Sequence, residues 1–220
     1  MKPLEKVHIE WTSEFAYGIG LLTTDGCLSS DGRHILFVSR EQEMIDNFQK
    51  CFGLANKVRI KSSGFTKKKN CFVVQFGDVR FYRFLLTIGL MPNKSKVLGE
   101  IRIPSDYMKD FLRGHLDGDG SFYSYWDKRW KSSFMFYTTF ASASQKHIDW
   151  IRRRVAELIG IPGYISQSKN DVLFQLKYGK EASVALFRKL YYDDTVLCLA
   201  RKRLKIENAL SVNQQHAEIA

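Results

Sequence analysis

Two aspartates, each followed at once by glycine, are the residues best placed to do chemistry in this 220-residue chain: Asp25 in "FAYGIGLLTTDGCL" (15–28) and Asp119 in "FLRGHLDGDGSF" (111–122). Small residues recur every four positions ahead of each, Ala16, Gly20 and Thr24 in the first stretch and Gly114 and Gly118 in the second. That spacing puts them on one face of a helix, so two such helices can approach with their backbones nearly in contact. Asp25 and Asp119 then arrive side by side at the helix C-terminal ends, where unpaired carbonyls already make the potential negative. A divalent cation relieves that repulsion, and carboxylate, backbone carbonyl and water are the hard oxygen donors that Mg²⁺ accepts. The candidate ligand set is Asp25 and Asp119 with the preceding residues Thr24 and Gly118. Gly26 and Gly120 are expected to end the helices in the left-handed conformation.

Other readings of the acidic stretch are weaker. A calcium loop starting at Asp117 needs glycine at its sixth position and an acid at its twelfth, but Phe122 and Lys128 stand there. Asp117 has Thr23 as its counterpart in the first stretch, so it reads as a packing or capping residue rather than a ligand.

The elements that position the acids repeat. The two Asp-Gly pairs lie 94 residues apart, and the segments after them match in kind. "CLSSDGRHILFVSR" predicts a hairpin with a tight two-residue turn at Asp31-Gly32, and "SFYSYWDKRWKSSFMFYTTFAS" a longer one. Met44, Ile45, Phe48, Cys51 and Phe52 keep helical spacing up to Gly53, as do Ile148, Ile151, Val155, Leu158 and Ile159 up to Gly160. A second strand pair and a closing helix complete each half, "DVRFYRFLLTIGL" in the first and "KEASVALFRKLYY" in the second. The expected fold is α+β, the order α-β-β-α-β-β-α twice over, in two units spanning residues 1–98 and 99–220. They divide near "MPNKSKVLGEIRIP", where two prolines bracket a basic linker.

"GIGLLTTDG" (18–26) and "LRGHLDGDG" (112–120) resemble two copies of the motif that names the LAGLIDADG homing endonucleases. "PNKSK", the "IP" before the second motif helix and "LYYDDTVLCLARKRLK" also resemble segments of single-chain members, so that the likeness covers nearly the whole chain. It implies two pseudo-symmetric units packed through the motif helices, each an antiparallel saddle-shaped sheet with its concave face over the DNA major groove and helices behind. It also implies a site-specific DNA endonuclease of intron homing, acting as a monomer on a long asymmetric target and leaving a staggered double-strand break. Mg²⁺ is the implied cofactor, with Mn²⁺ as a substitute and Ca²⁺ supporting binding without efficient cleavage. In such enzymes a lysine in each half completes the catalytic pair of acids. The candidates are Lys94 or Lys96 in the first half and Lys202 or Arg201 in the second, with Lys94 and Lys202 preferred. A non-cleaving DNA-binding protein or an RNA maturase of the same fold is the alternative, and the presence of both acids argues against it.

Charge agrees with a nucleic-acid partner, since 34 Lys and Arg against 23 Asp and Glu leave a net +11. Residues able to reach bases or phosphates from the first sheet are Ser29, Arg33, His34, Ser39, Arg40, Arg59, Lys61, Lys67, Lys68, Lys69 and Gln75. The second offers Ser121, Tyr123, Tyr125, Lys128, Arg129, Lys131, Tyr137, Thr139, Gln167, Lys169, Gln175 and Lys177. Cys27, Cys51, Cys71 and Cys198 form no C-x-x-C pair, which encodes neither a zinc ribbon nor a disulfide framework. No run approaches the roughly 18 apolar residues of a membrane span, and the first residues lack a signal-peptide stretch. The expected location is therefore intracellular, cytoplasmic or organellar, with no membrane association, no secretion and no obligatory protein partner.

Overall fold

The structure is a computed structural model that describes residues 5–62, 69–130, 133–167 and 172–219. Helix α1 (Ser13–Asp25) starts at Thr12, whose hydroxyl accepts from the Phe15 amide at 3.1 Å. Strands β1 (Gly26–Leu28) and β2 (His34–Ser39), helix α2 (Gln42–Phe52), strands β3 (Arg59–Ser62) and β4 (Lys69–Gly77) and helix α3 (Val79–Ile88) come next. The second half repeats them as α4 (Met108–Gly118), β5 (Ser121–Trp126), β6 (Phe134–Ser142), α5 (Gln145–Ile159), β7 (Tyr164–Gln167), β8 (Phe174–Tyr178) and α6 (Lys180–Leu190). A further helix, α7 (Ala200–Ile219), extends the second half. Each half builds one four-stranded antiparallel sheet, in the orders β1-β2-β4-β3 and β5-β6-β8-β7. The α+β architecture read from the sequence is the one observed.

Local signals explain most of the element ends. Helices α2 and α5 stop at Gly53 and Gly160, which take the left-handed conformation with φ of 60° and 75°. Asp78 caps α3 through the Phe81 amide at 2.9 Å and also accepts from the Lys6 and Val7 amides, tying the leading segment to the sheet. Helices α2 and α3 cover the back of the first sheet, and α5 and α6 that of the second. Phe37 and Phe48 stack at 4.1 Å in the first core; Phe111 meets Trp150 edge-on at 5.5 Å in the second.

Two turn readings need correction. The β1–β2 connection is longer than a two-residue turn: the Ser29 amide donates to the His34 carbonyl at 2.9 Å, leaving residues 30–33 in the loop, and Gly32 carries φ 77°. Gly26 is not left-handed either. It leaves α1 with φ −89° and ψ 154°, already extended, and Gly120 is absent from the positive-φ residues. What these positions require is space. A Cβ on Gly26 would collide with the Leu22 carbonyl and stand 2.9 Å from the Leu22 Cα, and one on Gly120 would lie 2.6 Å from the Leu116 carbonyl oxygen. Strand β1 thus follows Asp25 at once, and β5 starts just past Asp119 and Gly120. Among the described residues no helix is long and apolar enough to cross a membrane.

Candidate metal centre and nucleic-acid interface

Helices α1 and α4 pack with their backbones nearly in contact. A Cβ on Gly20 would stand 2.8 Å from the His115 amide nitrogen and 2.9 Å from the Gly114 Cα; one on Gly114 would run into the Tyr17 carbonyl. Farther along, a Cβ on Gly118 would meet the Thr24 side chain at 2.7 Å and an Asp25 carboxylate oxygen at 3.0 Å. Thr24 and Asp25 therefore pack directly over the residue that precedes Asp119. The small-residue faces do what their spacing implied.

Asp25 is half-buried, and Asp119 is exposed. Burial and then the neighbouring Asp119 charge raise the Asp25 carboxyl to about 6, with Thr24, Lys202 and Lys94 partly offsetting them. Burial also raises Asp119, against the pull of Lys94 and Lys202. Both acids therefore resist ionisation at one end of the helix pair, chiefly because they are desolvated there.

The lysines sit one at each helix end. Lys94, 7% exposed, donates from Nζ to the carbonyl of Gly26 just past α1. Lys202, 8% exposed, donates to the carbonyls of Leu116, Asp117 and Gly120, each at 2.7 Å, and more distantly to Gly118 at 3.3 Å. Burial lowers both ammonium groups, and the nearby acids counter it. The alternatives lie elsewhere: Lys96 is exposed, and Arg201 is bound through its guanidinium to Glu41, with Nε to Oε2 at 2.6 Å.

Asp117 has a different task. It is fully buried, accepting from the Tyr17 hydroxyl at 2.8 Å, the Leu199 amide at 2.7 Å and the Tyr191 hydroxyl at 3.4 Å. It thereby ties α4 to α1 and to the segment that launches α7, on which Lys202 rides. Its counterpart Thr23 bonds back to the Ile19 carbonyl at 2.7 Å. Asp117→Ala should cost on the order of 3 kcal/mol, because it strands a buried hydroxyl and a buried amide together. A lowered urea midpoint checks this, and a midpoint within experimental error of the parent would contradict it.

On the side of each sheet away from the helices, the nucleic-acid candidates divide. Arg33, Arg40, Arg59, Lys61, Gln75, Ser121, Tyr123, Tyr125, Lys128 and Arg129 are exposed, and Ser29, His34, Tyr137, Gln175 and Lys177 are half-buried. Gln167 is a correction: it is exposed, but it pairs with Phe174 in the phase that Ile165, Leu176 and Phe140 turn toward the helices. Arg129 pairs with Asp127, and His34 with Asp31. Ser39 is a correction: β2 turns Ile35, Phe37 and Ser39 toward the helices, and the Ser39 hydroxyl accepts from the Glu41 amide at 3.1 Å. Thr139 is another. Register places it between Ser121 and Lys177, and it is 5% exposed, too enclosed to reach a base directly. Lys67, Lys68, Lys131 and Lys169 lie outside the described residues; Lys69 opens β4, with its side chain outside the description.

Neither a family model nor any curated protein matches the sequence. Solved structures do match in shape. The homing endonuclease I-WcaI bound to its DNA recognition sequence superposes with a TM-score of 0.63 at 11% identity, over 90% of this chain and 88% of that one. Meganuclease I-SmaMI bound to uncleaveable DNA gives 0.61 at 11% identity, over 95% and 92%. The N-terminal LAGLIDADG domain of WhiA gives 0.53 at 14% identity, over 82% of each chain. The chain has the LAGLIDADG fold.

Within that fold, several buried groups around the paired helices had no sequence signal. Arg113 is 1% exposed, pairs with Asp110 at 2.8 Å and donates to the Leu190 and Leu197 carbonyls. His115 and His147 meet through their Nε2 atoms at 3.2 Å beneath α4, and His147 Nδ1 donates to the Gly99 carbonyl at 2.7 Å. Burial is the main reason both imidazoles are held neutral, His147 at about 4. Apart from Asp110, one turn before Arg113 on α4, their partners come from α5, α6, the α7 approach and the inter-half segment, distances in sequence that no local pattern spans.

Proposed function

We propose that the chain is a site-specific DNA endonuclease that makes a staggered double-strand break by metal-dependent phosphodiester hydrolysis, acting as a monomer. The observation that carries this reading is the convergence of Asp25 and Asp119 at the ends of the two packed helices, each end served by one buried lysine. Fold alone does not select the activity, since a domain of WhiA shares it. DNA-bound endonucleases with the same architecture add support for double-stranded DNA as the substrate.

The donor set fits a hard cation. Among the described residues no three His, Cys, Asp or Glu gather to form a complete protein cage. The chain instead offers two carboxylates, with the carbonyls of Thr24 and Gly118 as further oxygen donors, an arrangement that suits Mg²⁺ keeping waters and taking phosphate oxygens. Bound there, Mg²⁺ would supply Lewis-acid polarisation of the phosphate and a more acidic water. Asp25 and Asp119 hold and orient that centre. Lys94 and Lys202 set positive charge beside each scissile phosphate, where charge builds as water adds to phosphorus and the bond to the 3′ oxygen breaks. The two sheets hold a duplex across the axis between the helices. Because their outward residues differ, the preferred target is asymmetric. Incubating the chain with a randomised duplex library tests the reading: one sequence should be bound intact in Ca²⁺ and cut in Mg²⁺. A sequence bound in both and cut in neither would identify a non-cleaving DNA-binding protein.

Protonation gives a second readout, independent of cleavage. Asp25 rises from an ordinary 3.8 to about 6 on folding, so the folded chain holds that proton more tightly than the unfolded one. Its favourable contribution is fully present below about 4 and is lost as pH rises through about 6. Mg²⁺ should therefore raise the melting temperature more at pH 8 than at pH 5, where it must displace a proton. Equal shifts at the two pH values would contradict the assignment of Asp25 as a ligand.

A further inference from the structure

The outward face of the β5–β8 sheet carries a patch that the paired aspartates do not use. Tyr123 and Tyr137 are direct cross-strand partners, and Tyr125 stands opposite Met135. The three phenol rings lie nearly parallel, with centroids 5.2 Å apart for Tyr123 and Tyr137, 6.2 Å for Tyr125 and Tyr137 and 6.4 Å for Tyr123 and Tyr125. Tyr123 and Tyr125 are 40% and 44% exposed. A fixed array of rings left facing water keeps apolar surface hydrated, which is the mark of a binding face. The first sheet is built differently. On its outward side Cys27, Leu36 and Gln75 form one row and Val38, Val73 and Arg59 another, and its described residues include no tyrosine, phenylalanine or tryptophan there.

In the major groove a ring face can make apolar contact with the C5-methyl group, which thymine alone presents. The tyrosine hydroxyl both donates and accepts, so it discriminates poorly among base edges. Ring separations of 5.2 Å to 6.4 Å exceed the roughly 3.4 Å rise per base pair, so the patch reaches more than one step. Resting on the nuclease reading above, we infer that Tyr123, Tyr125 and Tyr137 recognise thymine methyl groups, so that T·A pairs specify the half of the target under the second sheet. The other half, under Arg59, Lys61 and Gln75, lacks the ring array and depends less on methyl groups.

The test uses duplexes selected by binding in Ca²⁺ from a randomised library, with the full chain and with the double variant Tyr123→Ser, Tyr125→Ser. The double variant should relax selection in one half of the site only, and that half should contain thymine. Replacing those thymines by uracil, which removes only the methyl group, should weaken wild-type binding roughly threefold per contacted methyl, against less than about twofold in the other half. Tyr125→Phe, which keeps the ring, should retain the uracil effect, and the double variant should lose it. The inference is overturned if uracil is neutral or equally costly in the two halves, if the relaxed half lacks thymine, or if the double variant selects the wild-type site unchanged. If the wild-type chain selects no sequence at all, the nuclease reading falls as well, so the two failures are distinguishable.

Discussion

Asp25→Asn should lower the single-turnover cleavage rate in Mg²⁺ on the order of a thousandfold or more, while the folded chain becomes more stable at pH 8 without divalent ions. Both halves of this result come from the same feature. A ligand carboxylate carries several kcal/mol of the charge stabilisation that a bound cation brings to phosphoryl chemistry, and an amide of the same shape brings none of its charge. In the empty site, that carboxylate is held up at about 6 by burial and then by Asp119, so its ionised form works against the fold. Asn removes the repulsion and retains the shape. Asp119→Asn should show the same pairing of lost rate and gained stability, in smaller degree for stability because Asp119 is more open to solvent. Thermal melts at pH 8 with and without Mg²⁺, set beside quench-flow rates, check this. Either variant cutting at the parental rate would remove its aspartate from the mechanism.

The largest loss of stability should come from filling the helix crossing. Gly20→Ala puts a methyl group 2.8 Å from the His115 amide nitrogen and 2.9 Å from the Gly114 Cα, and its nearest neighbour is the Phe111 carbonyl. These are backbone atoms, which cannot swing aside as a side chain would. Overpacking of a core costs about 1–3 kcal/mol where side chains can adjust, so a clash with backbone belongs at or beyond the upper end. Gly53→Ala offers the contrast: it also replaces a glycine beside a helix, but nothing lies within 4 Å, and only the left-handed φ of 60° is strained. That substitution should cost about 1 kcal/mol. Urea midpoints of the two variants therefore rank the helix contact against ordinary helix termination. Prising α1 from α4 would also part Asp25 from Asp119, so cleavage by any folded fraction of Gly20→Ala should fall as well. A Gly20→Ala midpoint equal to that of Gly53→Ala would mean that the helices do not need their close approach.

The paired helices were legible in the sequence because their requirement is local and periodic: a small residue every fourth position ending in Asp-Gly. The duplicated order of elements came from the same regularity, whereas the strand order within each sheet did not. Gly26 and Gly120 show where such reading stops. The glycine was expected for its backbone freedom, but it serves to clear the Leu22 and Leu116 carbonyls as each strand leaves its helix. Ser39 was misplaced by strand parity, although Ile35 and Phe37 on the same strand carry the inward phase that it shares. Lys202 and Arg201 are adjacent in sequence and alike in charge. Contacts from Asp117, Asn47 and Glu43 to the approach to α7 set the helix so that the first reaches the carbonyls ending α4 and the second reaches Glu41. Asp117 itself could be judged structural from the sequence, while its partners Tyr17 and Leu199 lie 100 and 82 residues away. Contacts at such separations depend on the assembled fold.

The central claim, that Asp25 and Asp119 form one metal-dependent centre serving both strands, is tested most directly by mapping strand ends. The two strands of a selected duplex are labelled separately and incubated with the chain in Mg²⁺. The account predicts one cut in each strand, offset from each other across the midpoint of the bound sequence, with both cuts suppressed by either Asp25→Asn or Asp119→Asn. A duplex recovered intact from Mg²⁺, or cuts that persist in either variant, would contradict it.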